Sequence, residues 1–210
     1  NTFKRSEIMY KVGYIDDSAK TFTNYTYGLL EYDIELICTN EKMSKVQLVN
    51  WVLDNQIEAV MIDYKLNPKF EFVGTELIAY LNDKLPGLQC VVLTSYKSNS
   101  LEEKLVPKVL TYDRDIFSEL DWTEIADTLK EYCQIFRNRM HLLINQYENL
   151  YNKIKAKNIN AEENEEFLDL YKILRAYGEV DDIPIEMLND NVNDKLDSLL
   201  DKLDKVLKNE

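Results

Sequence analysis

A chain of 210 residues with 45% hydrophobic residues, 14 tyrosines and only 5 glycines carries enough apolar mass for a packed core, which excludes general disorder. Its formal net charge of −13 is spread along the chain, −5 over residues 1–120 and −8 over residues 121–210, and no Lys/Arg cluster interrupts it. Such a field repels a nucleic-acid backbone and an anionic membrane surface alike, so neither is an expected partner.

In chain order, residues 10–16 form a mostly apolar run, as expected of a strand buried on both faces, and the run ends at Asp16-Asp17. Residues 18–31 are expected to be helical. Asp33–Cys38 reads as a second strand, and Ser44–Leu53 spaces its apolar residues for a helix. Ile57–Ile62 is a third apolar run, ending at Asp63. Val73–Leu85 follows as a helix and stops at the turn signal Pro86-Gly87. Gln89–Leu93 is a fourth strand leading into Thr94-Ser95. A weak helix near 100–105 precedes a fifth strand around Lys108–Tyr112.

From Asp121 the pattern changes. Asp121-Trp-Thr-Glu124 fits a capping box, and helical periodicity then runs on towards Lys157. Asn160-Ala-Glu-Glu163 starts another helix that ends near Gly178, and Pro184 opens a short third one. Val192, Leu196, Leu199, Leu203 and Val206 recur as a heptad seam, which either packs on the other C-terminal helices or makes a homodimer.

Strand and helix alternating five times imply a parallel sheet with helices on both faces, and in such sheets ligands gather at the carboxyl ends of the strands. Those ends carry Asp16 and Asp17, Asp63 and Thr94. The three cysteines, Cys38, Cys90 and Cys133, are far apart and lack a C-x-x-C, as expected of reduced thiols in a cytoplasmic protein. His141 is the single histidine, too little for a histidine zinc centre, and no apolar run is long enough for a membrane span.

The segments YIDD (14–17), VMIDYKL (60–66) with Pro68 and Gly74 following, and VVLTS (91–95) resemble the response-regulator receiver (CheY-like) domain of two-component signalling, over roughly residues 8–136. The resemblance implies that Asp63 is the phosphoacceptor, its carboxylate forming an acyl phosphate. It implies a Mg2+ ion held by Asp16, Asp17 and Asp63 with the backbone carbonyl of Lys65, and a Thr94 hydroxyl given to a phosphoryl oxygen. The family's lysine at the end of the fifth strand has no counterpart here. The stretch VLTYDRDIF (109–117) offers Tyr112 or Asp113 near that position and no proline, and Arg114 is the nearest substitute, ahead of Lys97 and Lys108.

Two other chemistries fit less well. A haloacid-dehalogenase-type phosphatase needs a second acid two residues after the nucleophile, where Lys65 stands. A toprim-like site built on Asp113 and Asp115 lacks the glutamate expected on the first strand.

The sequence is therefore expected to fold as an α/β domain, a five-stranded parallel sheet with flanking helices, followed by an all-α C-terminal module. Residues 1–121 are the expected receiver core and 122–210 the helical module, with 122–136 doubling as the last receiver helix. The expected function is a cytoplasmic response regulator that accepts a phosphoryl group on Asp63 from a histidine kinase or phosphotransfer protein and signals to an effector protein through the helical module. A phosphorylation-independent pseudo-receiver, acting as an interaction scaffold, is the alternative.

Overall fold

The computed structural model describes residues 9–95, 110–118 and 122–181. Five strands, β1 (Tyr10–Ile15), β2 (Ile34–Thr39), β3 (Ala59–Asp63), β4 (Gln89–Thr94) and β5 (Thr111–Asp113), form one parallel sheet in the order β2-β1-β3-β4-β5. This is the flavodoxin-like, CheY-like strand order, and its direction of winding reverses between β1 and β3. The crevice beyond the carboxyl ends of those two strands is where such sheets place ligands.

Helices cover both faces because the strand residues that point to each face are apolar. Ile15, Val60, Ile62 and Val92 pack under α2 (Lys45–Asp54) and α3 (Gly74–Lys84), chiefly on Leu48, Val52, Leu77, Ile78 and Leu81. Val12, Tyr14, Met61, Val91 and Leu93 face the other way, against Tyr25 and Leu29 of α1 (Phe22–Leu30) and Ile125, Leu129 and Cys133 of α4 (Thr123–Lys155). The near-continuous burial of β3 and β4 explains why their sequences do not alternate between apolar and polar. Helix α2 begins as a full capping box between Ser44 and Gln47.

Helix α4 runs unbroken for 33 residues, about 50 Å at the usual rise. Its first turns lie on the sheet. Further along, Met140, Tyr147 and Leu150 leave the sheet and pack against Phe167, Leu170, Tyr171 and Leu174 of α5 (Ala161–Ala176), with the Tyr147 and Phe167 rings stacked 5.0 Å apart. Asn160 and Glu163 cap α5 reciprocally, Lys153 reaches Glu163 across the turn at 2.6 Å, and Gly178 at φ 72° lets the chain leave the helix.

At the amino ends of the strands α4 is clamped to the sheet. Arg137 donates to both carboxylate oxygens of Glu58, at 2.5 and 2.9 Å, and to the Met9 carbonyl at 2.7 Å, while its guanidinium lies 4.6 Å above the Tyr10 ring. The Glu58 carboxylate also accepts from the Lys11 amide.

Several boundaries differ from those expected of the sequence. The stretch expected as one helix over 18–31 opens with a 3-10 turn at Ala19–Thr21. Helix α4 starts at Thr123, with Trp122 at the N-cap position, and Asp121 of the expected capping box lies outside the described residues. At the start of this helix the Trp122 indole is packed edge-on against Phe117 and Tyr25 and over Gly28. Among the described residues, β5 begins at Thr111. The helix expected near 100–105, Lys97, Lys108, the short helix expected to open at Pro184 and the 192–206 seam lie outside the described residues.

Candidate functional site

The residue following β1 and the last residue of β3 come together at the reversal in strand order. Asp16 is fully buried and Asp63 is 6% exposed, whereas Asp17 is half-buried at the rim. One carboxylate oxygen from each of Asp16, Asp17 and Asp63 lies within 4.8 Å of the others, and among the described residues this is the one group of three or more acidic, histidine or cysteine side chains so arranged. Three carboxylates in such proximity repel one another, and burial removes the water that would screen them.

The chain supplies one strong compensation, a guanidinium. Arg114 opens a 3-10 turn (Arg114–Ser118) directly after β5, and a single nitrogen of its side chain lies 2.5 Å from Asp16 Oδ2 and 2.9 Å from Asp63 Oδ1. The Tyr14 hydroxyl donates to the same Asp16 Oδ2, and the Ser18 amide donates to Asp16 Oδ1 at 2.8 Å. Both oxygens of the buried carboxylate are therefore engaged by protein groups. Lys69 donates to the Asp17 carbonyl at 3.3 Å and adds positive charge at the rim.

Even so, the positive charge falls short. Burial pushes the Asp63 carboxyl up to about 6, against the pull of Arg114, and the neighbouring charges of Asp16 and Asp17 push the same way. Asp17 is likewise raised above its ordinary value, by burial and by its hydrogen bond and repulsion with Asp16. A bound cation would favour the ionised forms that burial and mutual repulsion oppose.

Backbone geometry brings the remaining pieces close. Gly74, the first residue of α3, donates to the Tyr64 carbonyl at 2.9 Å, and a Cβ at that position would come within 2.3 Å of the Asp63 carbonyl oxygen. Only glycine lets α3 sit this close behind the end of β3. Thr94 ends β4, buried, one residue past the Leu93 that pairs with Asp63. Lys65 is exposed on the loop two residues beyond Asp63.

Of the residues expected from the sequence, Asp16, Asp17, Asp63 and Arg114 converge, and Thr94 and Lys65 flank them. Asp113 and Asp115 are exposed and do not join the acidic group. His141 is on the exposed outer face of α4, bonded to Asn145, and Cys90 and Cys133 are buried thiols whose burial pushes each up to about 12. Sequence reasoning missed Tyr14. Its spacing of two from Asp16 on one strand places both on the same face, and that was the available signal. Among the described residues, no helix is long and apolar enough to cross a membrane.

The donor set is all oxygen, anionic and compact, which suits a hard divalent cation such as Mg2+.

No family model and no curated protein matches the sequence. Comparison with solved structures finds a response regulator receiver domain protein from Clostridium thermocellum at 15% identity, covering 64% of this chain and 99% of that one with a TM-score of 0.47. The signal receiver domain of an HD domain-containing protein from Pseudomonas fluorescens Pf-5 matches at 12% identity, over 63% of this chain and 93% of that one, with a TM-score of 0.49. The response regulator protein TrrA from Thermotoga maritima, in complex with Mg2+ and BeF, matches at 15% identity over 59% and 99%, with a TM-score of 0.45.

Proposed function

We propose that this chain is a phosphoacceptor module of the receiver type, with Asp63 as the nucleophile. The observation that carries the reading is the convergence of Asp16, Asp17 and Asp63 within 4.8 Å at the reversal in strand order, on a buried strand end. An Asp63 carboxylate oxygen attacks the phosphorus of a phosphohistidine or a small acyl phosphate. The P–N or P–O bond to the donor breaks, the donor's imidazole or carboxylate leaves, and an acyl phosphate forms on Asp63.

Asp16, Asp17 and Asp63, with the Lys65 carbonyl, would hold a magnesium ion, which when bound supplies charge neutralisation between the carboxylate and the incoming phosphoryl group. Thr94 donates its hydroxyl to a phosphoryl oxygen. Arg114 supplies the cationic contact for which the receiver family uses a lysine. The donor is a histidine kinase or a phosphotransfer protein, and the α4–α5 hairpin is the surface read by an effector protein or by a second copy of the chain.

Incubation with acetyl phosphate and magnesium should add one phosphoryl group to the wild type and none to Asp63→Asn, read by intact-protein mass spectrometry at low temperature. Labelling should be slower than in receiver sites that keep the lysine. Absence of any adduct at high donor and magnesium concentration would replace this reading with a second one, a pseudo-receiver that works as a scaffold. The observation favouring that second reading is that Arg114 already bridges Asp16 and Asp63.

A further inference from the structure

Asp16 offers two carboxylate oxygens, and the protein uses both. Oδ1 accepts from the Ser18 amide, and Oδ2 accepts from the Tyr14 hydroxyl and from Arg114. The nitrogen of Arg114 that reaches Oδ2 also reaches Asp63 Oδ1 at 2.9 Å. A divalent cation that used Asp16 Oδ2 and Asp63 Oδ1 would compete with this guanidinium for the same two oxygens. Two cations a few ångströms apart in a buried site also repel each other strongly.

We propose that Arg114 is a built-in competitor of the divalent cation: its guanidinium neutralises Asp16 and Asp63, and metal binding requires that it leave those oxygens. The inference rests on the acidic group serving as a metal site, as in the reading above, and adds a gate to it. Arg114 is able to leave without unravelling the core. Its side chain is 24% exposed, and it stands at the start of a 3-10 turn whose buried anchor is Phe117, stacked 4.1 Å from Tyr25. The gate also gives Arg114 a destination, because a guanidinium released from Asp16 lies beside the position where a phosphoryl group on Asp63 would need a cation.

The test is a titration with Mn2+, a hard cation of similar oxygen preference, following the free-ion electron paramagnetic resonance signal, with Mg2+ added as competitor. Arg114→Ala and Arg114→Gln should each bind Mn2+ at least about 10-fold more tightly than the wild type, roughly 1.4 kcal/mol at 25 °C. Lys69→Ala is the control for a simple loss of positive charge, since Lys69 touches the Asp17 carbonyl and neither bridged carboxylate. It should change the affinity by less than about 3-fold, as expected of a screened rim charge. Far-UV circular dichroism melts check that each variant is folded, and either Arg114 variant suffices.

Unchanged or weaker Mn2+ binding in the folded Arg114 variants would overturn the proposal, as would an equal gain in Lys69→Ala or an absence of Mn2+ binding in all the proteins. The phosphoryl adduct on the wild type is scored separately. An adduct with no affinity gain in the Arg114 variants sinks the gate alone. An affinity gain with no adduct keeps the gate and sinks the phosphoacceptor reading.

Discussion

The two ends of the sheet each hold an arginine–carboxylate contact, part-buried at one end and more deeply buried at the other, and they are balanced differently. At the amino ends of the strands Arg137 meets a single carboxylate, Glu58, in a two-pronged pair, with a backbone carbonyl and the Tyr10 ring taking up the rest of its guanidinium. At the carboxyl ends one nitrogen of Arg114 is shared between two carboxylates, and a third, Asp17, stands beside them. The same chemical pairing serves as a clamp where charges match and leaves excess negative charge where they do not. Burial explains why the second arrangement is costly, and that cost is what the phosphoacceptor role proposed above would account for.

The sharpest way to separate the ends is pH. The Asp63 carboxyl is raised from 3.8 to about 6, so between those values the native state keeps a proton that the unfolded chain has released. Stability conferred by that proton is complete below about pH 4 and is lost as pH rises through 6. Without divalent cations the wild type should therefore lose about 2 kcal/mol between pH 4 and 7 through this group. Asp63→Asn should lack that loss in urea melts at the two pH values, and millimolar magnesium should offset it in the wild type by mass action. A wild type whose stability rises over the same window would contradict the account of the acidic end.

The matched end should behave in the opposite sense. Arg137→Ala strips Glu58 of its guanidinium partner and should destabilise the protein by about 2 kcal/mol at pH 7, measured by urea denaturation, with little response to magnesium. A magnesium-sensitive melt of this variant would erase the distinction between the two ends.

The smallest expected effect is that of Tyr14→Phe, which keeps the buried ring and removes one hydrogen bond to Asp16. It should cost about 1 kcal/mol in the absence of metal. Because the hydroxyl and Arg114 share Asp16 Oδ2, the cost should shrink once Arg114 is also replaced, and a double-mutant cycle measures that coupling. Strict additivity of the two changes would show that the shared oxygen does not couple them.

Much of this architecture was legible in the sequence because burial imposes it locally. Apolar runs of strand length alternating with helical periodicity gave the order of elements, and acids standing at the ends of two of those runs marked the crevice. The start of α4 was less legible. Asp121 and Glu124 fit a capping box in the sequence, but nothing there announces that the Trp122 indole packs on Phe117, Tyr25 and Gly28, contacts that only the tertiary fold makes. Tyr14 was read as part of an apolar strand, which its ring confirms, while its hydroxyl works in the acidic group; sequence periodicity reports the ring and is blind to the hydroxyl. Arg114 was identifiable as the nearest cation to the place of a missing lysine. That one nitrogen would bridge two carboxylates depends on the 3-10 turn after β5, and nothing in VLTYDRDIF announces that turn.

Helix α4 has a mechanical consequence. Its first turns are held by the sheet and its later turns form half of the α4–α5 hairpin, with no loop between the two roles. The helix is thus a lever whose fulcrum is the Arg137–Glu58 clamp. The 16 residues from Met140 to Lys155 make an arm of about 24 Å, so a tilt of about 5° at the sheet displaces its tip by about 2 Å. A tilt too small to disturb the packing of the core would then arrive at the tip of the hairpin enlarged into a displacement of atomic size.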